Sequence, residues 1–453
     1  MKKKILCACL VFFLIAFNAR AQQVLESYIK QGLENNHALK RKQLSYQESL
    51  LSLKEARGLF YPEISFNARY SVAEGGRTIE FPVGDLLNPV YQSLNLLLQT
   101  EKFPQINNQE FYFLRPHEQE TKLSLLQPIL NTEIIYNNKI RQEMTKAAQV
   151  DVEAYKRELV ATIKTAYYNY LQAEQALLIF DEIIDLLEEN IRVNKSLYAN
   201  EKVTLDVVYR SEAELSKLKK EKAGAVKKVN LARAYFNFLL NRPLESEIES
   251  YTGDLAELPG KKLEFFKEHA VSNREDLHNV RYLMQASERN IQRSKGAYYP
   301  SLTAAVDYGI QGEEYFFNDD YDFLLASVVL NWKLFSGKRR DLALEKARLD
   351  RQVLARKQLE AEQKVRMEVM QAYYALLASS EAVEAASDEY ESANRAFGIV
   401  HKRYGQGQAS LLEFLDANTS LKKAKIGKSI AKYQFMADYA QFEKAAAISK
   451  TDY

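Results

Sequence analysis

Tyr404–Leu421 reads YGQGQASLLEFLDANTSL, and the fold follows from how this stretch is read. A long polar-apolar helical pattern runs into it from Leu334, and another leaves it for the C-terminus. Gly405 and Gly407 interrupt the first helix. Ser410 and Glu413 give S-x-x-E, the capping box that opens the second. A short turn between long arms predicts an antiparallel helical hairpin with its turn at Gly405, Gly407 and Ser410. The arm before the turn is a rod of about 100 Å at the rise of an α-helix, far beyond the helices of an ordinary globular enzyme.

The hairpin occurs twice. Leu159, Ile163, Ala166, Tyr170, Ala173, Leu177, Phe180, Ile184, Leu187, Ile191, Asn194 and Tyr198 step by four and three without a break, as in a coiled-coil seam. A seam of the same phase, 206 positions on, starts at Val365 and ends at Tyr404. Ile163–Tyr168, IKTAYY, returns as Val369–Tyr374, VMQAYY. Upstream the offset is 238: LESYIKQGLENNHAL (25–39) pairs with LEFFKEHAVSNREDL (263–277), and GLFYPEIS (58–65) with GAYYPSLT (296–303). The difference between the offsets, 238 − 206, leaves about 32 extra residues in the first copy, after Pro62.

Each Tyr-Pro is followed by a period-two pattern. Ile64, Phe66, Ala68 and Tyr70 alternate with polar neighbours, as do Leu302, Ala304, Val306 and Tyr308 with Ser301, Thr303, Ala305 and Asp307. A second strand precedes each long helix, at Thr121–Leu130 and Phe323–Phe335. Strands of about ten residues, apolar on one face and mixed on the other, carry the outer-membrane barrel signature; the alternative is a soluble sheet packed on the helices. Four strands cannot close a barrel with side chains inside, and an open sheet would leave edges in lipid. In the barrel reading other copies of the chain complete the sheet. Residues 72–120, between the first strand pair, read as a folded loop with a helical turn near Leu94–Leu98.

The chain has 453 residues, nine prolines and sixteen glycines, a scarcity of breakers that suits long helices. Lys2, Lys3 and Lys4, the apolar run Ile5–Phe17 and Ala19-Arg20-Ala21 predict a secretory signal peptide over 1–21, with Gln22 as the first mature residue. Losing its four cations takes the formal net charge from +2 to −2, and Cys7 and Cys9 leave with it. No later stretch has the eighteen or so apolar residues of a spanning helix. The expected organisation is a first repeat over 22–241, a linker over 242–262 and a second repeat over 263–453.

Function classes narrow accordingly. His37, His117, His269, His278 and His401 are scattered, and none has a second ligand at metal spacing. No nucleophile elbow, P-loop or dinucleotide fingerprint occurs, and no basic stretch suits nucleic acid. No enzyme, cofactor or metal is expected. Tyr167, Tyr168, Tyr373 and Tyr374 read as packing residues. Glu413 and Asp416, three apart, share a helix face. Capping accounts for Glu413 but not for Asp416, which lies beyond the first turn.

Over essentially the whole mature chain the pattern resembles the TolC-like outer membrane efflux protein family. The resemblance rests on the N-x(2)-L helix start at Asn36–Leu39 and its counterpart Asn273–Leu277, and on the two Tyr-Pro strand entries. Its most specific carrier is Arg403-Tyr-Gly-Gln-Gly407 followed by Leu411–Ala417, LLEFLDA. It implies a mainly α protein with a membrane β-barrel. Three protomers would give four strands each to a twelve-stranded barrel and their hairpins to a periplasmic tunnel. It implies a homotrimer in outer membrane lipid, served by a periplasmic adaptor and an inner-membrane transporter. By the same resemblance Glu413 and Asp416 form an acidic ring at the tunnel tip, and Tyr404 bonds Asp206 to hold the tip closed. Ala409 stands where some members carry an arginine, so a second lock is absent or supplied elsewhere. Crowding in such a ring would raise some carboxylate pKa values. A periplasmic coiled-coil scaffold without a pore is the alternative.

Overall fold

The computed structural model describes residues 24–250, 255–316, 318 and 320–450. The expected signal segment, 1–21, lies outside them. Helix α1 (24–35) is followed by α2 (His37–Gly58), β1 (Glu63–Val72), β2 (Thr78–Phe81), α3 (Val83–Leu98), β3 (Gln109–Tyr112) and β4 (His117–Leu130). The hairpin α4 (Thr132–Ala199) and α5 (Leu205–Leu239) comes next. Then come α6 (Leu263–Asn273), α7 (Glu275–Gly296), β5 (Ser301–Gly312), β6 (Asp322–Asn331) and the hairpin α8 (Arg339–Gly405) and α9 (Leu411–Ala445). The bounds of α2 and α7 differ by 238, and those of α5 and α9 by 206, the two offsets of the sequence repeat.

The chain forms two compact units. One takes the residues up to Leu51, Gln142–Ser287 and Leu349 onward; the other is Ser52–Arg141 with Glu288–Arg348.

In the first unit the long helices hold because their seams are buried. Leu159, Ile163, Ala166 and Tyr170 of α4 pack with Ile29 and Leu39 of the short helices and with Val229, Phe236 and Leu239 of α5. A second cluster repeats the plan: Val365, Val369 and Leu376 of α8 meet Phe266 and Ala270 of α6, Leu277 of α7, and Phe435 and Phe442 of α9. Tyr167 and Tyr373 pack as expected, whereas Tyr374 is exposed. Tyr167 is buried against Phe236 and donates to the Glu249 carbonyl (2.9 Å), and Tyr373 packs on Phe266 and Phe442. The two seams are not equally covered. In α4 burial extends through Ile184, Leu187, Ile191 and Asn194, although Tyr198 is exposed. In α8 the counterparts from Val383 to Val400 are only half-buried.

Asn36 interrupts α1 and α2 for a visible reason. Its Oδ1 accepts from the amides of Ala38 and Leu39, and its Nδ2 donates to the Leu239 carbonyl. Asn273, the counterpart expected by motif, does not do this. It is the last residue of α6, its side chain bonds the His269 carbonyl, and Arg274 occupies the break. The offset of 238 places Arg274, not Asn273, opposite Asn36.

The second unit holds a four-stranded antiparallel sheet in the order β1-β4-β5-β6. Its register builds apolar rows across all four strands. Phe66, Leu123, Tyr308 and Leu324 form one row, and Ile64, Leu125, Val306 and Ala326 the next. This face is uncovered: Phe66 is 68% exposed and Leu324 70%. The opposite face is polar, with Lys122 bonded to Glu120 (2.9 Å) and Asp307 (3.2 Å), and Arg69 reaching Glu120. Among the described residues no helix covers these apolar rows, unlike the soluble-sheet alternative. The last strand stops at Asn331, short of the expected Phe335. There the Trp332 indole donates to the Tyr298 carbonyl and Arg340 holds the carbonyls of Lys333 and Leu334, so this backbone is tied to side chains rather than to a neighbouring strand.

Residues 72–120 hold more structure than one helical turn. The two-stranded ladder β2–β3 and the sixteen-residue helix α3 lie within them. Asn88 exchanges two hydrogen bonds with Ile106, and Asn95 two with Phe103, so the asparagines of α3 hook it to the returning chain.

Candidate functional site

The turns of the two long hairpins come together in the first unit. The α8–α9 turn is built as the sequence predicts. Gly405 ends α8 and Gly407 lies in the left-handed region at φ +72°. Ser410 Oγ accepts from the Glu413 amide while the Glu413 carboxylate accepts from the Ser410 amide (2.7 Å). Arg403 donates to the Gln408 carbonyl and closes the loop from the other side. The α4–α5 turn is the counterpart, with Glu201 at φ +60° where the second turn has Gly407. Its N-cap Thr204 turns its hydroxyl to Asp206 and makes no side-chain cap.

Between the turns lies a core of Ile183, Ile184 and Leu187 from α4, Leu218 from α5, and Leu411 and Phe414 from α9. Phe414 is fully buried, and the Tyr404 ring stacks on it at 4.9 Å. Stacking aims the Tyr404 hydroxyl at α4. There it donates to Asn194 Oδ1 (2.7 Å), while Asn194 Nδ2 bonds Asn190 Oδ1 and Ser211 Oγ, both at 3.0 Å. Asn194 and Ser211 are fully buried, so this network joins α4, α5 and α8 inside an apolar surround. The Tyr404–Asp206 pairing implied by the resemblance is not made within the chain. Asp206 sits exposed at the start of α5, bonded to Thr204 and facing Arg210 at 3.5 Å. Asn194 is a residue of the seam, and its signal was an amide in an otherwise apolar series. Such a residue fixes register in coiled coils.

Glu413 and Asp416 are both exposed on the first two turns of α9. Their counterparts in the first repeat, 206 positions earlier, are Val207 and Arg210, so the acidic pair belongs to the second hairpin alone. The Ser410 amide, then the Ser410 hydroxyl, hold Glu413 below the ordinary value of 4.5, with Arg403 adding in the same sense. Any crowding in an assembled ring acts on a carboxylate that starts low. A depressed pKa means that the cap stabilises above pH 4.5 and is lost as pH falls through the folded-state value. The first turn of α9 should therefore lose hydrogen-exchange protection in acid below pH 4.5, and Glu413→Gln should remove that dependence while keeping the cap. Equal acid sensitivity in both proteins would assign the loosening elsewhere.

The architecture has known counterparts. Residues 268–447 match the family described as Outer membrane efflux protein. Two relatives from Pseudomonas putida, the antibiotic efflux pump outer membrane protein ArpC and the toluene efflux pump outer membrane protein TtgC, are each 22% identical over 280 residues. Each match covers 59% of this chain and 56% of the relative, so the chain spans just over half their length. Among solved structures, the outer-membrane channel OprN superposes with a TM-score of 0.76 at 14% identity, covering 94% of this chain and 90% of that one. The open Neisseria gonorrhoeae MtrE channel gives 0.76 at 19% identity, covering 93% and 88%. The Campylobacter jejuni CmeC channel gives 0.77 at 15%, covering 93% and 85%. Residues 268–447 thus resemble the outer membrane efflux protein family, and over nearly its whole length the chain has the fold of the solved OprN, MtrE and CmeC outer-membrane channels.

Proposed function

We propose that three copies of this chain form an outer membrane exit duct that passes substrates handed over by an inner-membrane transporter through a periplasmic adaptor. The duct moves its cargo without transforming it. The observation that carries this reading is the four-stranded sheet with an uncovered apolar face and two edges, β1 and β6, that have no partner among the described residues. In lipid each unsatisfied backbone group costs several kcal/mol, so the edges require closure, and β6 of one copy beside β1 of the next supplies it. Exposed Tyr61, Tyr299, Trp332 and Phe335 at the helix-bearing end of the strands suit a membrane–water boundary. The half-buried seam of α8 fits the same assembly, since a neighbouring copy has a place to pack. The names of ArpC and TtgC support efflux as the task.

Outer membrane fractionation and planar-bilayer recording test the proposal. A duct gives discrete channels from trimers; a pore-less scaffold gives none. Glu413 and Asp416 are the selectivity residues of its periplasmic tip, six carboxylates around one axis, and Tyr404 with Asn194 is the lock. Asp206 on the first hairpin is paired with Arg210 at 3.5 Å, and the acidic pair of the ring comes from the second hairpin. The double change Glu413→Gln, Asp416→Asn should lower cation selectivity and divalent block with the trimer intact. Unchanged selectivity and block would place these carboxylates away from the pore.

A further inference from the structure

The insert between β1 and β4 ends in a surface that the duct reading leaves unused. Leu86, Val90, Ser93 and Leu97 lie one above another on α3, on the side away from its asparagine hooks. Leu86 is 68% and Leu97 77% exposed. Ser93 does not interrupt the stripe, because its hydroxyl is turned back onto the Pro89 carbonyl (2.9 Å). The hooks hold α3 in one place, so the stripe is a built face and not a loose loop. A contiguous apolar face on an exposed helix marks an interaction surface.

Charge decides what covers it. A helix that lies in a lipid interface carries Lys and Arg on its polar side. The one charged residue of α3 is Asp85, and no basic residue lies along its sixteen positions. An outer leaflet rich in anionic headgroups is therefore a poor match. The insert grows directly from β1, the edge strand that must meet β6 of the next copy. Closing the sheet brings each insert beside its neighbours, at the end of the strands opposite the helices. We propose that the α3 stripes of three copies pack on one another over the outer mouth of the barrel, forming an apolar constriction distinct from the acidic tip. Apolar constrictions gate by excluding water. This inference rests on the trimeric duct reading.

Single cysteines test it in a chain whose Cys7 and Cys9, the two cysteines of the sequence, are replaced by serine. Leu86→Cys and Leu97→Cys should give covalent dimers with a short bismaleimide added to purified trimers. Gln92→Cys, exposed on the flank of α3, should stay at background. Light scattering on the same samples separates the two ideas. An intact trimer with no stripe-specific cross-link overturns the constriction and leaves the duct standing. A monomer overturns the duct, and the constriction with it. As a second readout, Leu86→Ser, Val90→Ser, Leu97→Ser should raise single-channel conductance with tip selectivity unchanged; the same conductance as the parent would also overturn the constriction.

Discussion

Gly309→Ala should abolish the heat resistance expected of the proposed trimer. Gly309 lies in the middle of β5, paired with Lys122 of β4. A Cβ at this position would sit 2.2 Å from the Thr121 carbonyl oxygen and 2.6 Å from Lys122 Cα. Both are backbone atoms of a paired strand, so no rotamer change relieves the clash and the ladder itself must part. Overpacking of this kind costs about 3 kcal/mol, and more where backbone must move. In the proposed three-copy barrel the loss would be multiplied threefold, because each copy carries the same defect. Lys122 would also be displaced from Glu120 and Asp307, leaving the polar face of the sheet with broken pairs. Gel mobility of unheated samples and a thermal melt followed at strand wavelengths check the outcome. Parental heat resistance in the variant would mean that β4 and β5 can separate locally without opening the sheet.

On the proposed lock, Asn194→Ala should shift the tip toward an open state by roughly 1–3 kcal/mol, the cost of leaving buried hydrogen-bonding groups without partners. That is about a tenfold to hundredfold change in the closed-to-open ratio. The change removes the acceptor of the Tyr404 hydroxyl and the donor to Asn190 and Ser211 at once. Tyr404→Phe removes only the hydroxyl and keeps the ring on Phe414, so its effect should be smaller, about 1 kcal/mol. If the two residues act as one contact, the double variant should open no further than Asn194→Ala alone. Open probability in bilayers measures this directly. Asp206→Asn serves as the discriminating control: it should leave closure unchanged, because Asp206 faces Arg210 and Thr204 and not Tyr404. Opening by Asp206→Asn with none by Asn194→Ala would restore the pairing drawn from the family.

The parts legible in the sequence were those governed by local spacing. Ser410 and Glu413 announce a cap because capping involves atoms three residues apart, and the structure contains it. The seams and strands were legible because 3.6- and 2-residue periods record which face is buried. What escaped was settled by partners distant in sequence. Asn88 and Asn95 look like turn formers, yet their amides bond a segment 18 and 8 residues away and so sit inside α3. Asn194 looked like one more seam position until Tyr404, 210 residues later, met it. Asp206 was assigned to Tyr404 by resemblance; within the chain the Tyr404 hydroxyl bonds Asn194, and Asp206 lies against Thr204 and Arg210.

The unequal seams carry a consequence for how the protein comes into being. The seam of the first hairpin is covered from within the chain, by the short helices and by Leu411 and Phe414 of the second hairpin. The seam of α8 from Val383 to Val400 stays half-buried. In the proposed assembly a lone copy therefore holds one packed seam and one still to be covered. There a neighbouring copy completes the cover, so the lifetime of the lone chain should depend on how many others are near. Proteases and holding chaperones should reach α8 before that cover forms and not after it.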